Sequence, residues 1–327
     1  MPLTKALASG VLKKLLCVFF GISLALAIGE AYSRFFADIT DSFSFSLASS
    51  RWFARHYRNN SYGVRDDRDY APLPPPGMRR ISFAGDSFTA GHGIRRIEDR
   101  FAGIIRKKTR GEWEVHVLAR NGMDTVDEVA GLRDLLRTGY RLDQVVLIYC
   151  LNDIQSMQIA TGGWTEEFPT QSLEGFWVRH SFLINTLYYR ILVARHFAAR
   201  GYFDSVKSAY AGEAFDLQKK QLLLFKNGIE AAGGRLAVVT FPFLHHMGPG
   251  YEHREAHEKL SKFWKELGVP HLDLLETFAP YGSKELVVSR FDAHPNERAH
   301  RLAAEAILPF LRSLPGLSAA PVNKQDQ

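Results

Sequence analysis

The chain has 327 residues, of which 46% are hydrophobic and 23% charged, and its formal net charge is +6 at pH 7. This is the composition of a globular protein with one large domain or two small ones, rather than of a disordered or fibrous chain. We interpret the arginine-rich stretches 51–68 and 95–110 as a solvated basic surface near anionic lipid or glycan, and expect no nucleic-acid partner.

The chain begins with a basic segment and then an apolar run. Three lysines and no acidic residue precede the run, which covers residues 15–32 and is broken only by Glu30 near its end. A run of this length can just cross a bilayer, and the basic flank predicts a cytoplasmic N-terminus. We therefore expect residues 1–32 to be a single-pass signal anchor, with the N-terminus in the cytoplasm and the body outside it. A signal peptide cleaved at Ala25-Leu26-Ala27 is the alternative.

A bridge separates the apolar run from the first core strand. We interpret residues 33–78 as a linker and lead-in, whose proline-rich end at 72–76 predicts an extended, semi-rigid entry. The globular domain is expected over residues 79–312, and a disordered tail over residues 313–327.

Strand and helix patterns alternate from residue 80 onward. Strands are predicted at 80–84, 113–119, 144–150, 235–241 and 269–274, and helices at 95–108, 125–138, 215–232, 253–267 and 297–312. This alternation predicts a parallel sheet covered on both faces. The right-handed crossover rule then favours a doubly wound, flavodoxin-like three-layer α/β/α fold with five strands.

The stretch 155–212 does not fit the alternation, because it is too long for a simple crossover. It is rich in aromatic residues, from Trp164 and Phe168 to Tyr202 and Phe203. We expect a mostly helical insertion, which either shapes a substrate cleft or caps the domain without a role in binding.

Polar residues follow the ends of several predicted strands. Ser87 follows the first strand, Gly122 the second and Asn152 the third, while Asp292 and His294 precede the last helix. Because the carboxyl ends of parallel strands share one edge of the sheet, we expect these residues to converge.

These residue types suit acyl transfer through a covalent intermediate. A nucleophilic Ser87 needs a base, His294 can take its proton, and Asp292 can hold the other imidazole nitrogen. The N–H groups of Ser87 and Gly122 and the Asn152 amide can stabilise the oxyanion. Taken alone, the first motif is equally well explained as a turn that caps the following helix.

Four sequence blocks carry a resemblance to a known family. In order and approximate spacing they resemble the blocks of the SGNH (GDSL-like) hydrolases: Gly85-Asp86-Ser87-Phe88, Gly122, Asn152-Asp153 and Asp292-Ala293-His294-Pro295-Asn296. The resemblance covers residues 78–312, and the lead-in Asn60-Ser61-Tyr62-Gly63-Val64-Arg65 looks like that of membrane-anchored bacterial members.

The resemblance implies a flavodoxin-like α/β/α fold and ester hydrolysis without a metal or cofactor. It implies that Ser87 is the nucleophile, His294 the base and Asp292 the acid that orients it. Gly122 and Asn152 are then oxyanion donors together with the Ser87 N–H.

Two positions depart from the family pattern. Cys150 stands where glycine is usual, which narrows the floor of the cleft, and Phe88 replaces the common leucine. Neither change removes a catalytic group. We expect no disulfide between Cys17 and Cys150, since one should lie in the membrane and the other in the core.

Other polar residues have ordinary interpretations. Four histidines, at positions 245, 246, 253 and 257, suggest a metal site, but no carboxylate or cysteine supports them at ligand spacing. We therefore expect surface or hydrogen-bonding histidines and no metal. We expect His92 to be a loop residue and Asp153 a structural cap.

Three functions remain open on the sequence. The first is a serine esterase that removes acyl groups, acetyl included, from a carbohydrate or cell-envelope glycan, so that its partner is an acylated small-molecule or glycan substrate. The second is an O-acyltransferase that passes acyl groups to a polysaccharide through the same site. The third is a non-catalytic glycan-binding protein on a hydrolase fold. The sequence predicts no oligomeric state.

Overall fold

A five-stranded parallel sheet forms the centre of the computed structural model, which describes residues 2–163, 175–195 and 197–317. The strands are β1 (Arg79–Gly85), β2 (Trp113–Ala119), β3 (Gln144–Cys150), β4 (Arg235–Phe241) and β5 (His271–Asp273). Their order across the sheet is β2-β1-β3-β4-β5, and every neighbouring pair is parallel. This is the flavodoxin-like order, so the predicted fold class is confirmed.

Helices cover both faces of the sheet. All seven residues of β3 are buried, and successive side chains of a strand point to opposite faces. The helices are α1 (Pro2–Ala31), α2 (Leu47–His56), α3 (Ser87–Ala90), α4 (Phe101–Lys108), α5 (Thr125–Arg137), α6 (Gln155–Ala160), α7 (Phe176–His180), α8 (Phe182–Arg195), α9 (Phe197–Ala209), α10 (Glu213–Ala231), α11 (Arg254–Glu266), α12 (Leu275–Phe278), α13 (Ser283–Leu286) and α14 (Glu297–Ser313). Of these, α4 packs on α14 and α5 packs on α10. A short antiparallel hairpin, β6 (Val287–Ser289) with β7 (Asp292–Pro295), precedes α14.

The helix predicted over residues 95–108 begins later than expected. A single 3₁₀ turn, Ile97–Asp99, precedes α4, and Arg100 between them has an extended backbone. The buried Arg100 guanidinium donates to the carbonyl oxygens of Arg65, at 2.8 Å, and Ala90, at 3.2 Å. These long-range bonds fix Arg100 between two segments, and the helix starts only after it.

The lead-in before β1 packs closely on the sheet domain. It contains α2, whose Trp52 is buried, and a fully buried Arg65. The Arg65 guanidinium donates to the carbonyl oxygens of Ile94, at 2.6 Å, and Ala90, at 3.1 Å. Within residues 33–78, interpreted above as a linker and lead-in, this part contributes buried side chains to the domain.

One helix among the described residues has the length and composition to cross a membrane. The apolar stretch Leu12–Phe36 has a mean hydropathy of 2.0, and its most apolar part is not buried in the protein, although Ser33 near its end is. This is compatible with a membrane anchor or a signal sequence, the two alternatives that the sequence leaves open. Cys17 on this stretch and Cys150 at the end of β3 are both free.

The described part of the insertion is helical, as predicted, and forms α6 to α9. Trp164 and Phe168 lie outside the described residues, as do residues 318–327 of the predicted tail.

Two buried histidines make the fold sensitive to acid. Phe101 donates its backbone N–H to Nδ1 of His300, and Nδ1 of His116 lies 2.6 Å from the Tyr140 hydroxyl. Burial, together with nearby arginines, lowers the pKa of both imidazoles to about 3. The folded state therefore holds both neutral, whereas the unfolded chain protonates them near pH 6.5.

We expect the free energy of unfolding to fall as the pH drops from about 6.5 towards 4, because protons bind preferentially to the unfolded chain. Each of the two histidines should contribute about 1.4 kcal/mol per pH unit in this window. Urea denaturation at pH 7 and pH 5 measures the effect, and His300→Asn should reduce the difference between the two pH values. Equal unfolding midpoints at both pH values would contradict the prediction.

Candidate active site

A sharp turn after β1 presents Ser87 at the start of α3. The side chain of Asp86 caps this short helix by accepting the backbone N–H of Phe88 at 2.8 Å. Gly85 has φ +154°, and a Cβ there would lie 2.8 Å from the carbonyl oxygen of Ile148 on the neighbouring strand. Glycine is therefore required at this position. The turn holds Ser87 at the carboxyl edge of the sheet.

The β7 strand brings an imidazole to Ser87. His294 Nε2 lies 2.9 Å from Ser87 Oγ, and His294 Nδ1 lies 2.7 Å from Asp292 Oδ1. All three side chains are buried. Because an ionised carboxylate only accepts, Nδ1 carries the hydrogen and Nε2 is left with its lone pair facing the Ser87 hydroxyl.

Asp292 is held in the charged form. Burial alone would raise its pKa, but the neighbouring His294 and His92 keep the pKa of Asp292 well below its usual value. Its second oxygen also accepts the hydroxyl of Thr40 from the lead-in. The carboxylate thus has hydrogen-bond donors at both oxygens.

Candidate oxyanion donors lie around the same hydroxyl. The N–H of Ser87, in the first turn of a helix, has no intrahelical acceptor. Gly122 adopts φ +77°, a left-handed conformation that suits glycine. The Asn152 side chain uses one amide hydrogen to bond Asp86 Oδ2 at 3.2 Å, which leaves its second amide hydrogen available. Ser87, Gly122, Asn152 and His294 all line one cleft of about 330 Å³.

Asp153 supports the turn that carries Asn152. Its Oδ2 accepts the backbone N–H of Cys150 at 2.9 Å, and its side chain is buried. This is the structural cap that the sequence predicts for this residue.

Aromatic side chains from outside the sheet complete the walls of the cleft. Phe43 comes from the lead-in, Tyr202 and Phe203 come from α9 of the insertion, and Phe243 follows β4. The insertion therefore helps to shape the cleft, the first of the two roles expected for it. A second cavity of about 860 Å³ adjoins the cleft and shares Phe43 and Phe203 with it.

His92, which the sequence places only on a loop, is packed against the base. Its ring stacks on that of His294, with centroids 3.8 Å apart and planes 8° apart. Its Nδ1 lies 2.6 Å from Asn121 Nδ2, and its Nε2 lies 3.3 Å from Asp292 Oδ2. Since the Asn121 amide must donate to Nδ1, the hydrogen of a neutral His92 sits on Nε2, which lies 3.2 Å from the carbonyl oxygen of Asp41 as well as beside Asp292.

His92 thus joins the Asn121-Gly122 turn to the carboxylate. Burial and the neighbouring His294 lower the pKa of His92, which keeps it neutral. Its flanking glycines, Gly91 and Gly93, both have positive φ and hold it in a tight turn. Glycines on either side of a histidine are the only sequence signal for this placement.

The same side chains are close enough to be considered as metal ligands. One ligand atom from each of His92, Asp292 and His294 lies within 4.8 Å of the others. Two imidazoles and a carboxylate form a donor set that zinc accepts. However, both nitrogens that face Asp292 carry a hydrogen: His294 Nδ1 donates to Asp292, and His92 Nε2 is within hydrogen-bond distance of the Asp41 carbonyl oxygen. A metal would therefore have to displace these bonds.

The other histidines singled out in the sequence only partly match the surface or hydrogen-bonding roles expected: His246 is exposed, but both ring nitrogens of His245 and Nδ1 of His253 are buried without a hydrogen-bond partner among the described residues. His257 Nδ1 lies 2.9 Å from the Asp273 carboxylate, and the ring of His245 stacks on Phe203 with centroids 3.5 Å apart. Within the part of the chain that the structure describes, His245, His246, His253 and His257 form no metal-ligand cluster.

We expect His92→Ala to lower kcat for the reaction proposed below by about 10²-fold, because the imidazole and carboxylate lose a support that fixes their geometry. KM should stay nearly unchanged, since His294 and Asp292 act on the reacting atoms rather than on binding. His92→Gln, which can still donate to Asp292, should recover part of the loss.

The matched control is His257→Ala, which removes another buried histidine paired with a carboxylate, outside the cleft. If both variants lower kcat equally once the folded fraction is accounted for, the effect is one of stability only.

No family model and no curated protein sequence matches the chain. Among solved structures, the chain is similar to a lipolytic protein of the G-D-S-L family from Veillonella parvula, at 15% identity over 72% of this chain and 100% of that one, with a TM-score of 0.45. It is similar to an extracellular lipase from Streptomyces rimosus, at 15% identity over 72% and 99%, with a TM-score of 0.44. A carbohydrate acetylesterase family member from Sinorhizobium meliloti is 14% identical over 72% and 98%, with a TM-score of 0.39.

Proposed function

We propose that this chain is a serine ester hydrolase in which Ser87 is the nucleophile, His294 the general base and Asp292 the acid that orients it. The observation that carries the proposal is the continuous hydrogen-bonded series from Ser87 Oγ to His294 at 2.9 Å and on to Asp292 at 2.7 Å. A serine bonded to an imidazole that a buried carboxylate orients has the arrangement needed for nucleophilic catalysis.

The first half of the reaction forms an acyl-enzyme. Ser87 Oγ attacks the ester carbonyl as His294 Nε2 takes its proton, and the charge that develops on the carbonyl oxygen is met by the N–H groups of Ser87 and Gly122 and the Asn152 amide. His294 then gives the proton to the leaving alcohol, and the C–O bond to that alcohol breaks. In the second half, His294 takes a proton from water, which attacks the acyl group and releases the acid and free Ser87.

The shape of the cleft favours a short acyl group on a carbohydrate. A volume of about 330 Å³ with Ser87 in its lining holds an acetyl group together with part of one sugar ring. The aromatic side chains of Phe43, Tyr202 and Phe203 offer flat apolar surfaces for the faces of a sugar. The substrate is accordingly an O-acetylated carbohydrate of the cell envelope. The domain acts outside the cytoplasm and is held at the bacterial inner membrane by the apolar helix α1.

The full chain in detergent tests the proposal. It should release the aryl alcohol from an aryl acetate much faster than from an aryl ester with a long acyl chain, and should release acetate from an O-acetylated polysaccharide. Absence of turnover with every ester, from protein whose Ser87 also fails to react with a fluorophosphonate probe, would leave a non-catalytic glycan-binding protein.

A second candidate, O-acyl transfer to a polysaccharide, is favoured by the adjoining cavity of about 860 Å³, which leaves room for an acceptor beside the cleft. The acyl-enzyme is the same in both reactions and only the acceptor differs. Adding an unacetylated polysaccharide to the aryl acetate reaction distinguishes them. Acetylated polysaccharide as the main product indicates transfer, and free acetate as the main product indicates hydrolysis.

A further inference from the structure

We infer that the end of the apolar helix and the α7–α8 helix pair form one surface that rests in the headgroup region of the bilayer. We call this surface the apolar rim. It consists of six exposed apolar side chains: Phe35, Phe36, Phe176, Trp177, Leu187 and Ile191. They are between 47% and 72% exposed to solvent, which is high for residues of this size.

Glu30 fixes α8 against the end of the apolar helix. Its carboxylate accepts the backbone N–H groups of Phe182, at 3.1 Å, and Leu183, at 3.0 Å, and the hydroxyl of Ser181 at 2.7 Å. These groups belong to the first turn of α8, which otherwise has unsatisfied donors. The start of α8 is therefore held at the level of residue 30, where the apolar stretch leaves the bilayer.

Further contacts make this junction tight and fix α7 within it. Arg34 donates to Glu30 at 2.7 Å and to the carbonyl oxygen of His180, the last residue of α7, at 2.6 Å. Asn185 donates from α8 to the carbonyl oxygen of Val178 at 2.9 Å. A Cβ at Gly29 would lie 2.9 Å from Leu183 Cδ2, so the two helices are in close contact. The position of Trp177 relative to the apolar helix is thus set.

The two faces of α8 differ in what covers them. Asn185 and Tyr189 are buried against the domain, where Asn185 Oδ1 accepts the N–H of Leu47 at 2.8 Å and Tyr189 packs on Phe45. Leu187 and Ile191, four residues apart on the outer face, are exposed, and within the described ranges no residue covers them in this way. An uncovered apolar face of this kind needs a partner of its own.

The bilayer is the occupant that the molecule itself indicates. The apolar rim continues directly from a helix whose apolar window is wholly uncovered by protein, so the same medium must cover both. Aromatic side chains are enriched at the headgroup level, which is where Glu30 places Phe176 and Trp177. A cation accompanies them, since the guanidinium group of Arg34 lies 5.0 Å from the Phe182 ring and its side chain is 40% exposed, within reach of anionic headgroups.

Depth-dependent quenching of Trp177 tests the inference. The full chain is reconstituted into vesicles of phosphatidylglycerol and phosphatidylcholine, in which the phosphatidylcholine carries bromine either high or low on its acyl chains. Trp177→Phe removes the indole and keeps an apolar ring, and subtracting its emission from that of the wild type isolates Trp177. We expect bromine near the headgroup to quench this difference strongly, and bromine deep in the chains to quench it less.

Trp113→Phe is the matched control, because Trp113 is buried in β2 and its loss should leave the quenched emission intact. An equal quenched emission in the wild type and Trp177→Phe would overturn the inference. It would equally be overturned if aqueous iodide quenches Trp177 as well in vesicles as in detergent. Protection of Trp177 from both iodide and brominated lipid would show that a protein covers the apolar rim instead.

Discussion

Ser87→Ala should lower kcat for aryl acetate hydrolysis by at least about 10⁴-fold, because no covalent intermediate can form without the nucleophile. The remaining rate should be that of direct attack by water on the bound ester, which the oxyanion donors still stabilise. A substrate in the cleft can reach Ser87, because the Ser87 side chain lines the cleft. The same variant should abolish labelling by a fluorophosphonate probe, which reports the nucleophile without needing the natural substrate.

Ser208→Ala is the control for this experiment. Ser208 is exposed on α9, and its hydroxyl donates to the carbonyl oxygen of Asp204 in the same helix. The Ser208→Ala variant should react with the fluorophosphonate probe and turn over substrate as the wild type does. Undiminished ester hydrolysis by Ser87→Ala would refute the proposed role of Ser87 and direct attention to another residue of the cleft.

Asp292→Asn should lower kcat by about 10⁴-fold while leaving the fold intact, because the carboxamide is nearly the same size. An amide N–H facing His294 Nδ1 would move the imidazole hydrogen to Nε2, which could then no longer accept the Ser87 proton. The amide oxygen would then take the place of Oδ2 and still accept the Thr40 hydroxyl, so the expected loss comes from the imidazole tautomer.

The pH dependence gives a separate check on Asp292. Its depressed pKa keeps the carboxylate charged through neutral pH, and its contribution is lost only as the pH falls below the usual range near 3.9. Loss of activity between pH 7 and pH 5 should therefore not come from protonation of Asp292. Asp273→Asn is the matched control, since Asp273 pairs with His257 outside the cleft. More than about a tenth of wild-type activity in Asp292→Asn would contradict the role assigned to the carboxylate.

The residues that local patterns reveal are those whose environment is fixed by neighbours in sequence. Strand β3 could be predicted to the residue, because seven consecutive residues suited to a buried parallel strand end at a polar turn. The short strand β5 was predicted three residues too long, because the pattern also includes Val269 and Pro270 before the strand and Leu274 after it. The position of Ser87 after β1 followed from the glycine at 85, whose conformation the turn requires.

Long-range hydrogen bonds explain what the sequence did not reveal. Thr40 reaches Asp292 across 252 positions of the chain, and no local period marks either partner. Buried Arg65 and Arg100 look like surface residues in a basic stretch, but each is bonded to carbonyl oxygens of distant segments. His92 is similar, because its function depends on a stacking partner, His294, that only the folded chain brings near.

The tight packing of the lead-in has a consequence for where the molecule can act. Thr40 and the buried Trp52 tie the first residues after the apolar helix directly to the domain, so little slack chain separates the two. A domain on a long flexible linker could move to many distances from its attachment point. With the apolar helix anchored in a membrane as proposed above, this domain would be restricted to a thin layer at a nearly constant height above the membrane plane.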